Sequence, residues 1–362
     1  MLVTGGAGYI GSHAVRALWA AGYQPVVYDD LSNGHREAVL WGPLIEGDVR
    51  DARALAEAMT THAIRGVLHF AGLIEVGGSV VAPDLFWDHN VNGVAAVLAA
   101  MRQTGVNRLV FSSTAAVYGQ PRPGQITGLA EDHPTQPINP YGDTKLAAER
   151  MIAASCHAYG LTAIALRYFN AAGADADGRI GEAHWPESHL IPLAIEAALN
   201  GTPLTINGGD FATPDGTCLR DYVHVSDLAT AHVLALTAPA GPSGFTALNL
   251  GAGRGHSVLD VLAAVERATG LPVKRRHGGR RAGDPAVLIA DAAKASAVLG
   301  WRPVRGSLDD IVASAVAWRR SCRFGSPGPI AVPGATGQRS AGNGGLTPQR
   351  PKCSSRKAAL AR

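Results

Sequence analysis

The chain opens MLVTGGAGYIGSHAVR, and the placement of its glycines restricts the fold more than any other feature. A short apolar run is followed by Gly6, Gly8 and Gly11, and a helical pattern takes over at residues 9–21. Glycines spaced this way let a main chain turn sharply and pass close to another backbone or to a diphosphate, where a side chain would obstruct. A helix that starts in such a turn offers N–H groups and the positive end of its dipole. This strand, turn and helix belong at the carboxyl edge of a parallel sheet.

The rest of the first half repeats that rhythm. The runs at 24–28, 42–46, 66–70, 108–112 and 162–168 are rich in Val, Ile and Leu without polar alternation, as strands buried on both faces must be. Helical patterns separate them at 51–61, 84–104 and 141–159. The fold class expected is α/β, a doubly wound parallel (Rossmann-like) sheet with a smaller C-terminal substrate-binding domain. Beyond residue 170 the rhythm breaks into a Gly-, Asp- and Pro-containing loop. Helices are then expected near 190–200, 226–237, 257–269, 291–299 and 307–319, and strands near 203–206, 220–225 and 245–250. Residues 1–170 with 226–250 are assigned to a cofactor domain and 171–225 with 251–320 to a substrate domain. With only three residues before the first turn, the start looks trimmed by one or two.

Charge separates the last segment. Nine basic and no acidic residues lie between Arg319 and Arg362, so residues 1–318 carry 23 basic against 29 acidic groups, although the whole chain is formally +3. Residues 321–362 are dense in Gly, Pro, Ser and Arg, and are expected to form a disordered basic tail with no nucleic-acid partner. The four cysteines stand far apart without metal-ligand spacing, so neither a metal nor a disulfide framework is expected. No apolar run reaches the ~18 residues of a membrane span, and MLVTGG reads without a basic region or a cleavable apolar segment. A cytoplasmic protein is expected, with no membrane partner.

Three stretches carry chemistry. Asp29 ends the second strand 18 residues after Gly11, the spacing of an acid that meets adenosine ribose hydroxyls; its charge would repel a 2′-phosphate, which favours NAD over NADP. Asp48, after the third strand, could face the adenine edge, and Phe70, Ala71 and Gly72 end the fourth strand in the cofactor crevice. His69 reads as a core histidine. Tyr141 and Lys145 stand one helical turn apart, behind Pro140 at a helix start. An ammonium and an oxidised nicotinamide beside the phenol would lower its pKa, so that it takes a hydroxyl proton while hydride leaves the same carbon. The fifth strand ends FSSTAAVYG, offering Ser112, Ser113 and Thr114 to hold the substrate oxygen.

With TGGAGYIG, FSSTAAVYG and YGDTK in order, the chain resembles the extended short-chain dehydrogenases/reductases, and within them it is similar to the UDP-glucose 4-epimerases. YDDLSNGHREAV, HFAGLIEVGGSV, NVNG, LRYFNAAGA, LRDYVHVSDLA, LNLGAGRGHSVLDV and RRAGDPAVLIAD extend the likeness to about residue 318. The resemblance implies bound NAD and a homodimer through the helices near 84–104 and 141–159. It also implies interconversion of UDP-glucose and UDP-galactose by transient oxidation at hexose C4, with Tyr141 as general base. It places Gly5, Gly8, Tyr9, Ile10, Gly11, Asp29, Asp30, Asn33, Asp48, Val49, Phe70, Ala71, Gly72, Asn90, Ser112, Tyr141, Lys145 and Tyr168 at the cofactor. It places Thr114, Tyr141, Phe169, Asn170, His189, Leu190, Arg220, Arg281, Asp284 and Leu288 at the UDP-sugar, with Tyr141, Lys145, Thr114 and Ser112 catalytic.

The chain departs from the family pattern at five of these or neighbouring places. Thr114 replaces a common serine and keeps the hydroxyl, whereas Ala116 replaces a hydroxyl residue and loses it. Ile74 stands where a lysine is frequent, His189 where asparagine is, and Leu288 where side-chain bulk limits the sugar C2 substituent. Ala115-Ala116 lacks the Asp-Glu pair that a 4,6-dehydratase uses to eliminate water. A 4-epimerase of UDP-N-acetylhexosamine, UDP-pentose or UDP-uronate remains open, as does a non-catalytic NAD-binding protein.

Overall fold

In the computed structural model the described residues are 1–121, 128–239, 241–281, 284–321 and 324. Seven strands form one parallel sheet: β1 Leu2–Thr4, β2 Val26–Asp29, β3 Leu44–Glu46, β4 Val67–His69, β5 Arg108–Thr114, β6 Thr162–Tyr168 and β10 Phe245–Leu250. Their order is β10-β6-β5-β4-β1-β2-β3, and every neighbouring pair is parallel. The order reverses between β1 and β4, which opens a crevice at the carboxyl ends of the central strands.

Helices cover both faces, as the doubly apolar strands require. On one face α2 Ala52–Thr61, α5 Gly93–Thr104 and α6 Pro140–Tyr159 enclose Leu55, Val97, Phe111 and Ile152. On the other, α1 Tyr9–Ala20, α8 Val225–Thr237 and α10 Ala293–Leu299 enclose Val15, Val110, Leu228 and Trp301. A third core around Ile191, Tyr222, Leu262 and Val312 joins α7 Leu190–Asn200, α9 Val258–Thr269 and α11 Leu308–Ser321.

The second half holds the expected strands near 203–206 and 220–225, as β8 Leu204–Asn207 and β9 Leu219–His224, and adds short partners that periodicity does not announce. β7 Asn170–Ala172, β11 Gly255–Ser257 and β13 Val287–Leu288 all pair with β9, and β8 pairs with β12 Arg275–Gly278. Runs of two to four residues leave no pattern to read. The helix expected at 84–104 is also revised. It is divided into α4 Pro83–Trp87, a wide π turn at Asp88–Asn92, and α5; a further helix, α3 Val76–Val81, precedes it. One extra residue in a turn preserves an apolar stripe in the sequence while re-aiming the side chains within it. The expected tail lies outside the described residues, apart from residues 321 and 324.

Candidate active site

The glycine turn closes on bare backbone. A Cβ at Gly5, where φ is +71°, would lie 2.5 Å from the Ala71 nitrogen, and one at Gly11 would lie 2.1 Å from the Gly5 carbonyl oxygen. Gly8 is the N-cap of α1 and brings no side-chain cap to its first turn, so the end of the helix is open to an anion. Asp29 lies behind the turn: one carboxylate oxygen accepts from Ala7 N at 2.9 Å, the other from Leu31 N at 2.9 Å. Burial pushes its pKa up, against both of those bonds. Asp29 therefore braces the glycine loop, and the remaining lone pair on each oxygen is its capacity for ribose hydroxyls. Exposed Asp30 folds onto Ser32, and Asn33 is exposed beyond the strand. Ile10 packs half-buried on the sheet. The Tyr9 hydroxyl donates to Gly173 O at 2.7 Å, fastening the start of α1 to the loop after β7.

Of the remaining expected cofactor residues, Phe70, Ala71 and Gly72 follow β4 at the switch point. Phe70 and Ala71 donate their N–H groups to Thr4 O, and Phe70 packs on His232 at 4.6 Å between ring centroids. Gly72 is held against two neighbours: a Cβ there would lie 2.7 Å from Asn90 Oδ1 and 3.8 Å from Lys145 Nζ. The π turn aims Asn90 inward, where it accepts from Leu73 N at 2.8 Å and donates to Leu73 O and to Thr144 Oγ1. Val49 is buried beside Gly93. Asp48 binds Arg50, which also bridges to Asp88, so its carboxylate is committed to an ion-pair network. His69 is a neutral core group: its Nδ1 lies 2.7 Å from Thr4 Oγ1, and burial lowers its pKa to about 3.

Strand alternation separates the hydroxyls of β5. Ser112 bonds the Tyr168 hydroxyl through its own hydroxyl, and its carbonyl accepts from Lys145 Nζ at 3.0 Å. Ser113 points the other way and donates to buried Glu149 at 2.5 Å. Thr114, half-buried at the strand end, accepts from Ala116 N at 3.1 Å, and its hydroxyl is the group that pulls the Tyr141 phenol down. Of the three hydroxyls, Thr114 is thus the one aimed at the phenol.

The start of α6 brings Lys145 and Tyr141 to the same side. Asn139 caps α6 by accepting from Gly142 N at 2.9 Å, and Pro140 opens the helix, so Tyr141 and Lys145 share a face. The ammonium lies 6.0 Å from the Tyr141 ring centroid and donates to Ser112 O, one of its three N–H donors. Burial drives the phenol up to about 12, and the hydrogen bond with Thr114 pulls it the other way. Burial also lowers Lys145 to about 8, with Glu149 opposing that change. Burial thus favours the neutral phenol, and positive charge beside it acts in the other direction.

Glu149 was missed by the sequence reading. It lies one turn beyond Lys145 on the same helix, buried, and Arg167 grips it through Nε and Nη2 at 2.9 and 2.5 Å. Arg167 also donates to the Tyr118 hydroxyl, which donates to Asn249. The available signal was the Tyr141, Lys145, Glu149 stripe at four-residue spacing.

The expected substrate residues gather mainly on the second sheet. Asn170 on β7 donates to Asp221 O at 2.8 Å. Arg220 on β9 pairs with Asp284, and Leu288 on β13 stands opposite Arg220 in register. Phe169 and Leu288 cover a small core of Ala115, Val117, Tyr118, Leu129 and Leu146. Arg281 is exposed; with its amide oxygen turned toward it, Asn207 accepts from Nε and Nη2 at 3.1 Å each. Leu190 starts α7 and packs on the third core. His189 caps α7 and is held by Glu182, 2.5 Å from its Nδ1, rather than standing free. Glu182, His184, Glu187 and His189 bring one ligand-type atom each to within 4.8 Å of one another, a cluster the sequence reading did not foresee.

A parallel sheet, a glycine-lined helix start, and a Tyr-Lys pair at the carboxyl end of β5 agree with the family model of the NAD dependent epimerase/dehydratase family, which matches residues 1–251. The chain belongs to that family. Within the NAD dependent epimerase/dehydratase family, a UDP-glucose 4-epimerase of Rhizobium leguminosarum bv. trifolii is 49% identical over 319 residues, 88% of this chain and 96% of that protein. The crystal structure of UDP-glucose 4-epimerase from Brucella ovis in complex with NAD is 48% identical, with a TM-score of 0.83 over 87% of this chain and 96% of that one. A UDP-glucose-4-epimerase structure from Stenotrophomonas maltophila with bound NAD and formylated UDP-arabinopyranose is 42% identical, with a TM-score of 0.83 over 88% of this chain and 97% of that one.

Proposed function

We propose that the chain interconverts UDP-glucose and UDP-galactose as an NAD-dependent 4-epimerase, with Tyr141 as general base. The observation that carries this is the placing of buried Lys145 one turn from Tyr141 at the start of α6, with its ammonium on Ser112 O at the carboxyl end of β5. NAD fits the glycine turn, where no Cβ could be tolerated at Gly5 or Gly11. Gly8, Asp29, Phe70, Gly72 and Lys145 are the residues that would hold it. When bound, it supplies the hydride acceptor for sugar C4, returns the hydride on the other face, and adds a positive charge beside the phenol.

The chain's own residues do the rest. Tyr141 takes the proton of the C4 hydroxyl and later gives it back. Thr114 holds the same oxygen and favours the phenolate. Lys145 keeps an ammonium in the pocket wall while orienting through Ser112 O. Asn170, Arg220, Arg281 and Asp284 anchor the UDP moiety, arginine forks being suited to diphosphate oxygens. Firm anchoring of the diphosphate with few polar contacts to the hexose lets the oxidised sugar turn over. Phe169 and Leu288, both apolar, supply such a wall. Residues 1–170 with 226–250 form the cofactor part and 171–225 with 251–320 the UDP-sugar part in this reading.

A homodimer and a cytoplasmic location belong to the same proposal. Val76, Val80, Val81 and Trp87 are exposed next to the expected pairing helices, a surface suited to a second copy. Among the described residues no helix is long and apolar enough to cross a membrane.

The test is a panel of UDP-sugars incubated with purified protein and neither oxidant nor reductant. UDP-galactose and UDP-glucose should interconvert, and NAD should be released on denaturation. Tyr141→Phe should lose at least about 100-fold in turnover while retaining NAD. Near-normal turnover in that variant removes Tyr141 from its role, and a wild-type protein inert toward both hexoses rejects the activity.

A further inference from the structure

The four side chains of Glu182, His184, Glu187 and His189 sit on a loop whose backbone is pinned before they meet. The loop residues Ala174 and Gly181 bridge to each other. Trp318 Nε1 donates to Glu182 O at 2.8 Å, and His35 Nε2 lies 2.7 Å from Ala183 O. A Cβ at Gly181 would lie 2.4 Å from the Trp318 ring, so the chain is pressed flat against the indole just before Glu182. On the other side, Glu187 Oε1 accepts from Ser188 N and His189 N at the start of α7. The Glu182 and Glu187 side chains are 7% and 6% exposed, which is unusual for carboxylates without a strong counter-charge.

The donor atoms already stand close to the edges of a coordination polyhedron. His184 Nδ1 lies 3.3 Å from Glu182 Oε1 and 3.8 Å from Glu187 Oε1, and His189 Nδ1 lies 3.7 Å from Glu187 Oε1 and, in a hydrogen bond that an ion would open, 2.5 Å from Glu182 Oε1. A tetrahedron with bonds of about 2.0 Å has edges of about 3.3 Å. His184 Nδ1 is shut off from solvent, and among the described residues no hydrogen bond of good geometry reaches it. Charge also balances. Two imidazolium ions and two carboxylates are neutral together, and one dication with two neutral imidazoles and two carboxylates is neutral as well. A metal can therefore replace two protons without leaving net charge in the pocket.

We propose that Glu182, His184, Glu187 and His189 form a binding site for a divalent transition-metal ion of the zinc class. Two imidazole nitrogens with two carboxylate oxygens suit zinc, cobalt or nickel, whereas magnesium and calcium favour oxygen ligands alone. The ion ties the loop after β7 to the first turn of α7. The Tyr9 ring lies edge-on to His184 at 6.1 Å, so the same ion stiffens the wall beside the start of α1. His189, a ligand here, is thereby held in a fixed orientation.

Untagged full-length protein, stripped with chelator and dialysed against zinc, cobalt or magnesium chloride, tests the site. Elemental analysis should find stoichiometric zinc and cobalt but no retained magnesium, and zinc alone should raise the unfolding temperature by several degrees. The cobalt form should show visible absorption of a low-coordinate nitrogen and oxygen ligand set. His184→Gln combined with Glu187→Gln should lose the metal and its thermal shift. A wild-type protein that retains neither ion overturns the proposal, as does a folded double variant that binds as much zinc as wild type. The cobalt spectrum of the wild type decides the matter if the double variant fails to fold, because a spectrum without nitrogen ligation overturns the site on its own.

Discussion

The Lys145 ammonium donates to the carbonyl of Ser112 at 3.0 Å, across the gap between α6 and β5. That bond fixes the lysine to the strand carrying the reactive hydroxyls, and it leaves the phenol of Tyr141 to be tuned by its other neighbours. Burial sends the phenol up to about 12, and the hydrogen bond with Thr114 opposes it. A charge-assisted bond to a phenolate contributes roughly 1.5–3 kcal/mol, or one to two pKa units.

Thr114 should accordingly control the alkaline requirement of the reaction. Thr114→Val is expected to lower turnover by about 10- to 100-fold, and the rise of rate with pH should move upward by about one unit. Thr114→Ser should stay within a few-fold of wild type. A pH–rate profile of the three proteins checks this, and equal profiles for Val and Thr would deny the hydroxyl its part.

Glu149 should matter for stability more than its distance from the substrate suggests. Glu149→Gln leaves Arg167 buried without a full counter-charge and should cost about 3 kcal/mol or more by urea unfolding. It also removes the group that opposes the lowering of the Lys145 pKa. The ammonium should then titrate at lower pH than about 8, and the alkaline decline of activity should begin earlier.

Gly11→Ala should empty the protein of cofactor. Its methyl group would lie 2.1 Å from Gly5 O, and only movement of the turn relieves that. At least a tenfold loss of co-purifying NAD is expected, read from released nucleotide. Gly77→Ala, where a Cβ meets nothing within 4 Å, serves as the control and should keep its NAD.

Acid should loosen the fold before the carboxylates titrate. Burial holds His13 and His69 at about 3 and His224 and His232 at about 4, below the ordinary 6.5. As pH falls below 6.5 the unfolded chain gains protons that the native imidazoles refuse. Each such group then removes up to about 1.4 kcal/mol of stability per pH unit. Asp221, raised to about 6, works in the opposite sense, as do the rises at Asp29, Asp227 and Glu196, and the raised His184 and His189 add stability as pH falls toward 6.5. A net fall in urea midpoint from pH 6.5 to 5.5 is expected. His232→Gln should flatten that slope, and an unchanged slope would show that this imidazole is not a buried neutral group.

The large sheet was legible because its strands are apolar on both faces, and the edges of α1, α7 and α9 fall within a residue or two of their sequence patterns. The glycine turn was legible because backbone contact leaves no other residue possible. The strands around β9 were not, since two or three residues carry no period. The π turn was hidden because Val91, Val94 and Val97 keep helical spacing while Asn90 is swung inward. Tyr141 and Thr114 could be read as neighbours from motif and strand end. That Ser113 belongs to Glu149, and His189 to Glu182, depends on which way side chains face in three dimensions.

The wide turn at Asp88–Asn92 works as a phase shift in an otherwise continuous rod. Removing one residue there would restore regular winding and rotate everything upstream by about 100° relative to α5. The amide that clamps Leu73 would then face away from the crevice. A lone deletion at this place is consequently a change that no neighbouring substitution can undo.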